Sequence, residues 1–330
     1  MSNKMSHFKL TPEQRAALNT KSNWRGSLEV GKDWSLILLA FALSLLWPHP
    51  LTFVVSLLLL AAAQAGFAIL QHEAAHRSLF ASAKLNDFIG EYLCAQPILQ
   101  SMPGYRAYHM THHRLAGTVD DPDLIMTEQY PVAPSSLKRK LWRDASGLTG
   151  LKSVLGLMGM AAGYWRYELT GRVVRVEPAP HGVSGYLAAF IQNNGHIGLL
   201  WQVVMAATLS ALGNGWLYLL WLTAFIFILP ICMRIRQIAD HAVVAEPLST
   251  NPLLHARTSN ARWYEKLWFA PHNEHYHLEH HFMPTAPCWN LPKLHAILAK
   301  EGVIPAENQS DRLLSILQRA TTTNPAALPQ

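Results

Sequence analysis

The sequence predicts an all-α integral membrane protein, with four transmembrane helices in two hairpins and a helical cap on one side. Three observations point there. Charged residues make up only 15% of the 330-residue chain, against roughly 25% in an ordinary soluble domain. Long apolar runs come in pairs, and a tight corner joins each pair. All 27 Lys and Arg lie within residues 1–33, 71–194 or 234–330, outside the runs and their corners.

Residues 1–33 are polar and carry Lys4, Lys9, Arg15, Lys21, Arg25 and Lys32. No apolar stretch with a small-residue cleavage site follows a short basic start, so no removable signal peptide is expected. The first apolar run, 34–47, is itself the expected anchor. Pro48, His49 and Pro50 then intervene, and a second run covers 51–70. Together the two runs are too long for one span and suit a helical hairpin. Proline cannot continue a helix interior, so this triplet is the corner. A second pair follows at 197–212 and 216–233, with Gly213, Asn214 and Gly215 as its turn. The first and third runs fall short of the roughly 20 residues a span prefers. Flanking residues 30–33 and 193–196 are expected to complete them.

Leu148 to Trp165 is apolar enough for a fifth span, but it carries Lys152 and several glycines. Each glycine weakens a helix by roughly 1 kcal/mol relative to Ala. A fifth span would also put the histidines before it and after it on opposite sides of the membrane. The expectation is a helix lying at the interface, and Leu85 to Gln100 is read the same way. The positive-inside rule places both termini and the large middle segment in the cytoplasm. Beyond Met233, residues 291–300 read as a short helix with Pro292 in its first turn and Gly302 past its end. Ser310 is expected to cap another helix through Arg319, and 321–330 to form a flexible tail. The organisation expected is a cytoplasmic segment, 1–33, a membrane domain, 34–295, and a C-terminal helix and tail, 296–330.

The net charge of +6 suits a loop surface near anionic headgroups or a landing site for an acidic redox partner. The basic residues form no stripe interleaved with aromatics, which argues against nucleic acid. Cys94, Cys232 and Cys288 stand alone. That excludes a rubredoxin-type site, a thiolate cluster or a zinc knuckle, and leaves a disulfide framework unsupported.

The compositional outlier is 17 histidines, and they cluster. His72 and His76 are spaced i, i+4. His109 stands i+3 and i+4 from His112 and His113, and His277 stands likewise from His280 and His281. Such spacings put the rings on one helix face. Eight imidazoles thus form three groups on the side assigned as cytoplasmic. Imidazole suits iron, zinc, copper or nickel, and one structural zinc needs only four ligands. Eight can fill two coordination spheres and leave positions for oxygen, as in a di-iron unit of high positive charge. Glu73, Asp120, Asp121, Asp123, Glu274 and Glu279 are candidate acceptors to fix the rings. The first group also reads as HExxH, the zinc-protease signature with its glutamate as general base. That reading leaves six box histidines idle.

HxxxH, HxxHH and HxxHH in this order, each after a hairpin or its extension, resembles the membrane fatty-acid desaturase family. The resemblance runs from about Trp34 to His295. The strings from His109 to Asp123 and from Tyr276 to Pro284 look like those of bacterial members, which implies a bacterial inner membrane. The family resemblance implies a non-haem di-iron centre, O2 as co-substrate and a fatty acyl or other lipid substrate. It also implies a further metal ligand after the fourth span, where His241 fits. No catalytic residue beyond the metal centre is implied. The wider superfamily includes alkane and fatty-acid hydroxylases and carotenoid oxygenases. No haem-binding His-Pro-Gly-Gly string of a fused cytochrome b5 domain occurs, so electrons are expected from a separate donor such as ferredoxin with its reductase. His272 and His275, beside the third box, are expected in supporting positions. His7, His49, His181, His196, His255 and His295 are expected to be uninvolved.

Overall fold

Caps and helix breakers set the element boundaries in the computed structural model, which describes residues 8–167 and 173–324. Helix α1 (Pro12–Leu18) starts at a capping box between Thr11 and Gln14. Helix α2 (Asn23–Leu46) starts where the Ser22 hydroxyl accepts from the Arg25 N–H. It ends just before the proline corner. Helix α3 (Pro50–Ala75) begins there, and His49 caps it, its Nδ1 accepting from the Leu51 N–H at 3.2 Å. The first expected hairpin is therefore present. Its first helix begins at residue 23, though, and not near 34.

Serines close this hairpin. The Ser56 hydroxyl donates to the Ala40 carbonyl at 2.8 Å, and the Ser44 hydroxyl donates to Ser56 at 2.8 Å. Gly66 on α3 makes room for Asp33 on α2: a Cβ there would stand 2.3 Å from both Asp33 carboxylate oxygens. From Leu60 onward nearly every residue of α3 is buried. It is the central helix, and it delivers the first histidine pair into the interior.

The second hairpin pairs α9 (Gly195–Ala211) with α10 (Leu217–His241), turning at Gly213, whose φ is +75°. Helix α10 contains one π-helical turn, Ala224–Ile228. Pro230 explains it, because proline has no N–H for the carbonyl four residues back and its ring crowds that carbonyl. That carbonyl belongs to Ile226. Helix α7 (Leu148–Ala161) packs against this spot through Gly150, where a Cβ would come within 2.2 Å of the Ile226 oxygen. The glycines that weaken α7 as a span thus serve close packing.

Among the described residues two helices, α3 and α10, are long and apolar enough to cross a membrane. Helix α2 carries Arg25, Glu29, Lys32 and Asp33, and α9 has only 17 residues. Exposed apolar side chains, such as Leu38, Leu46, Leu51 and Val54 on the first hairpin and Leu200, Val203 and Leu219 on the second, form a bare apolar surface. This is compatible with membrane association.

The cap comprises α4 (Ala83–Ile89), α5 (Met102–Leu115), α6 (Pro134–Ala145), α8 (Gly182–Gln192), α11 (His277–Phe282) and α12 (Leu291–Glu301). Helix α12 has its proline in the first turn and Gly302 at φ +65°, as expected. The segment after α4 is a π turn and a 3-10 turn packed on α3, with Gly90 against Ala74. Strands β1 (Trp165–Tyr167) and β2 (Val173–Arg175) pair antiparallel, so Leu148 to Trp165 is not one continuous helix. Strands β3 (Thr258–Ser259) and β4 (Gln309–Ser310) pair parallel. Ser310 therefore lies in a strand and does not cap a long helix; among the described residues one helical turn, Ile316–Arg319, follows. Thr321 bridges Val132 next to it. The rest of the expected tail, 325–330, lies outside the described residues, as does His7.

Candidate metal centre

Four elements aim histidines at one place. Helix α3 ends with His72 and His76, α5 carries His109, His112 and His113, α10 ends at His241, and α11 carries His277, His280 and His281. His72, His76, His109, His113 and His280 each offer a ring nitrogen, all within 4.8 Å of one another. His112, His241 and His281 form a second such group. His277 joins it, its Nε2 lying 2.8 Å from His241 Nε2 and 3.1 Å from His281 Nε2. The two groups adjoin, with the His113 ring stacked on that of His281 at 4.5 Å.

The protons of the second group can be located by their acceptors. His112 Nδ1–H donates to Asp121 at 2.7 Å, and His277 Nδ1–H donates to Glu274 at 2.9 Å. His241 Nδ1–H donates to the His255 carbonyl at 3.1 Å. His255 donates through its own Nδ1 to the Ser249 carbonyl at 2.7 Å, so its Nε2 accepts from His281 Nδ1–H at 3.3 Å. A neutral imidazole has one N–H. With each of these rings neutral, all four Nε2 atoms carry lone pairs, and they face one another across 2.8 to 3.3 Å. Facing lone pairs repel unless a cation lies among them. Imidazole nitrogens bound at about 2.0–2.1 Å to one ion stand about 3 Å apart at a right angle. The first group shows the same spacing, 2.9 Å from His76 to His109 and 3.0 Å from His113 to His280, Nε2 to Nε2. Both ring nitrogens of His72 and Nδ1 of His280 are buried with no hydrogen-bond partner among the described residues. The donor set fits a pair of metal ions.

Burial, and then the neighbouring imidazoles, hold the pKa of His109, His113, His280 and His281 well below the ordinary value. Neutral rings keep their lone pairs for a metal. His112 differs. Burial lowers its pKa too, but the Asp123 charge and the bonded Asp121 carboxylate outweigh that and raise it.

Residues 45–308 match the family model for fatty acid desaturase. The chain belongs to the fatty acid desaturase family. It is also similar to the dihydrorhizobitoxine desaturase of Bradyrhizobium elkanii, 27% identical over 288 residues, which cover 83% of this chain and 75% of that protein. The chain is thus a desaturase-type oxidoreductase, and its buried histidine cluster is compatible with a metal site.

Of the acids singled out in this desaturase, Asp121 and Glu274 hold rings directly. Asp123 stands 3.6 Å from His112 Nδ1 and accepts from the Tyr108 hydroxyl at 2.5 Å. Glu73 stands 3.9 Å from His72 and accepts instead from Ser78 and from the Cys288 N–H, each at 2.9 Å. Glu279 accepts from His295 at 2.5 Å, and Asp120 is exposed. His255, expected to be uninvolved, orients both His241 and His281. No spacing signal marks it, since it stands alone at the end of a one-turn helix, Pro252–His255. Arg236 and Asp240 also went unmarked; Arg236 pairs with both Asp240 and Glu274. His272 lies away from the cluster, bridging Glu29 at 2.8 Å and Asp33 at 2.9 Å. His275 is buried, with Nδ1 unpartnered among the described residues. His181 and His196 are exposed.

A cavity of about 1070 Å3 lies between α5, α7 and the junction of α8 with α9. Tyr105 lines it, and its ring stacks on His109 at 5.2 Å with an 11° tilt. The cavity thus ends at the histidine cluster.

Proposed function

We propose that the nine histidines, His72, His76, His109, His112, His113, His241, His277, His280 and His281, hold a non-haem di-iron centre with which this oxidoreductase introduces a C=C bond into a fatty acyl chain, using O2. The observation that carries this is the convergence of ring nitrogens in two adjoining groups, with the Nδ1 protons of His112, His241, His277 and His281 committed to acceptors elsewhere. An iron pair bound there supplies oxygen activation strong enough to take hydrogen from an unactivated methylene. The protein's part is positioning and water exclusion. The cavity ending at Tyr105 takes the chain, and Asp121, Glu274 and His255 fix the rings.

Electrons come from a separate carrier such as ferredoxin with its reductase. All four hairpin helices cross the membrane, a bacterial inner membrane. The histidines and termini face the cytoplasm, and residues 1–33 and 296–330 flank the membrane domain.

The zinc-protease reading is disfavoured by the cluster itself: one zinc needs at most four ligands, and the fold brings the six other box histidines to the same place as His72 and His76. Hydroxylation of an alkane or fatty acid, and carotenoid oxidation, would use the same site. Because the Bradyrhizobium elkanii relative is named for dihydrorhizobitoxine, desaturation of that compound is the second substrate reading. Product analysis decides. The enzyme, reconstituted with a reductase system, is expected to yield product about two mass units lighter than substrate, with near two irons per chain. A gain of about sixteen mass units would make it a hydroxylase. Zinc without iron would overturn the centre proposed here.

A further inference from the structure

The cavity that reaches Tyr105 is not lined only by hydrocarbon. Gln96, on the 3-10 turn after α4, and Asn194, at the start of α9, both line it. Gln96 is 1% exposed. Behind them lies the buried carboxylate of Glu91. Its Oε1 accepts from Gln96 Nε2 at 2.7 Å and from Asn194 Nδ2 at 2.9 Å, and its Oε2 accepts from the Met102 N–H at 2.7 Å.

The chemistry of this triad fixes which way the amides point. Both amides meet Glu91 Oε1 through their nitrogens, so both NH2 groups turn to it. The amide oxygens, Gln96 Oε1 and Asn194 Oδ1, are left for other partners. Gly198, also on the cavity wall, gives Gln96 Oε1 its room, because a Cβ there would stand 3.0 Å from it. Asn194 sits at φ +60°, a conformation that costs a non-glycine residue energy.

We infer that Gln96 and Asn194, set by Glu91, form a subsite that accepts hydrogen bonds from an N–H or O–H group on the substrate. This rests on the cavity being the substrate channel. The substrate is then an amphiphile with a donor group at a set distance from the reacting carbon, not a plain hydrocarbon chain. The subsite also acts as a ruler. Glu91 holds the N–H of Met102 at the start of α5, and His109 follows seven residues later, about 10 Å along the helix. A donor docked at the amides places a fixed carbon beside the histidines.

The donor could be neutral, as in a hydroxyl, or charged, as in an ammonium group, so the test carries both. Purified protein in nanodiscs is loaded with a dansyl-labelled acyl chain, which is then displaced by competitors of equal length. 1-Dodecanol donates an O–H, dodecyl methyl ether can only accept, and dodecylammonium donates with charge. Leaving a buried acceptor unpaired costs on the order of tenfold in binding. Dodecanol or dodecylammonium should therefore displace the probe at about tenfold lower concentration than the ether. Whichever of the two is stronger identifies the class of donor.

Asn194→Gly accepts the positive φ and removes the amide, and Gln96→Leu removes the other. Each should cut the preference to about threefold or less while leaving the ether's affinity unchanged. Both variants leave Glu91 and its bond from the Met102 N–H in place. Equal displacement by dodecanol, dodecylammonium and ether in the wild type overturns the subsite alone. So does a full donor preference in both single variants. A probe that does not bind at all removes the channel itself, and with it the reading on which this inference rests.

Discussion

Asp121→Asn tests the proposed centre at one bond. The Asp121 carboxylate is nearly buried and accepts from His112 Nδ1–H at 2.7 Å and from the Asp123 N–H at 2.9 Å. Asparagine keeps the size and one accepting oxygen but loses the charge. A full unit charge at about 4 Å and an effective dielectric of about 20 is worth roughly 4 kcal/mol. Much of that survives here, because Asp123 remains 3.6 Å away. Loss of such an outer partner costs about tenfold to a hundredfold in metal affinity, or about 1.4 to 2.8 kcal/mol. The assay is iron content by mass spectrometry across a graded chelator series, with turnover measured alongside. Asp123→Asn is the control. That carboxylate bears on His112 by charge alone at 3.6 Å and makes its short bond to Tyr108, so its loss should cost less than that of Asp121, which carries both a charge and the hydrogen bond. Unchanged iron affinity in Asp121→Asn, or a larger loss in Asp123→Asn, would refute the assignment of His112 as a ligand oriented by Asp121.

Three further outcomes are expected. Gly66→Ala drives a methyl to 2.3 Å from the Asp33 oxygens, which His272 holds in place, and overpacking of this kind costs about 1–3 kcal/mol, readable as a lower melting temperature. His272 is buried, which lowers its pKa, but the Asp33 and then the Glu29 carboxylates outweigh this and raise it to about 10. Its raised pKa means the stability it contributes is complete below its unfolded value, about 6.5, and is lost as pH rises through about 10; the fall in melting temperature between pH 7 and 10 should flatten in His272→Gln. Stripping the metal with a strong chelator should lower the melting temperature, by about 2.7 kcal/mol of stability for a ligand at a hundred times its Kd, and Fe(II) but not Mg(II) should restore it.

The three histidine groups were legible because i, i+3 and i+4 spacing survives any tertiary packing. The same logic could not reach His255, which stands on a one-turn helix, Pro252–His255, far in sequence from the rings it orients. The start of α2 was hidden by Glu29, Lys32 and Asp33, which break the apolar pattern. Two of them do so because they bind His272 from across the fold. The glycines of α7 read as helix weakness when they are packing sites for the Ile226 carbonyl. Both hairpin corners were legible, since proline and the Gly-Asn-Gly turn act locally. Ser310 was misread because a cap and a two-residue parallel strand look alike in sequence, and only the partner Thr258–Ser259 tells them apart.

Charge balance at the centre supplies a sign test that does not depend on fold stability. Neutral imidazoles bring no negative charge to a metal pair, so compensation must come from the carboxylates behind them. Glu274 serves both groups, 2.9 Å from His277 Nδ1 and 3.9 Å from His72 Nδ1. Arg236 opposes it, pairing with Glu274 and standing 3.3 Å from Asp240. The guanidinium would therefore withhold part of that negative charge from a metal pair held there. Removing positive charge near a metal favours its oxidised state, and removing negative charge favours the reduced one. Arg236→Gln should shift the midpoint potential of the iron centre downward, and Glu274→Gln should shift it upward. Breaking a buried pair from either side costs about 3–5 kcal/mol, so both variants should melt lower. Destabilisation alone would move both potentials together or neither. Opposite shifts, read by spectroelectrochemistry on the loaded protein, would establish that these two residues act on the metals through charge. Shifts of the same sign would end that argument.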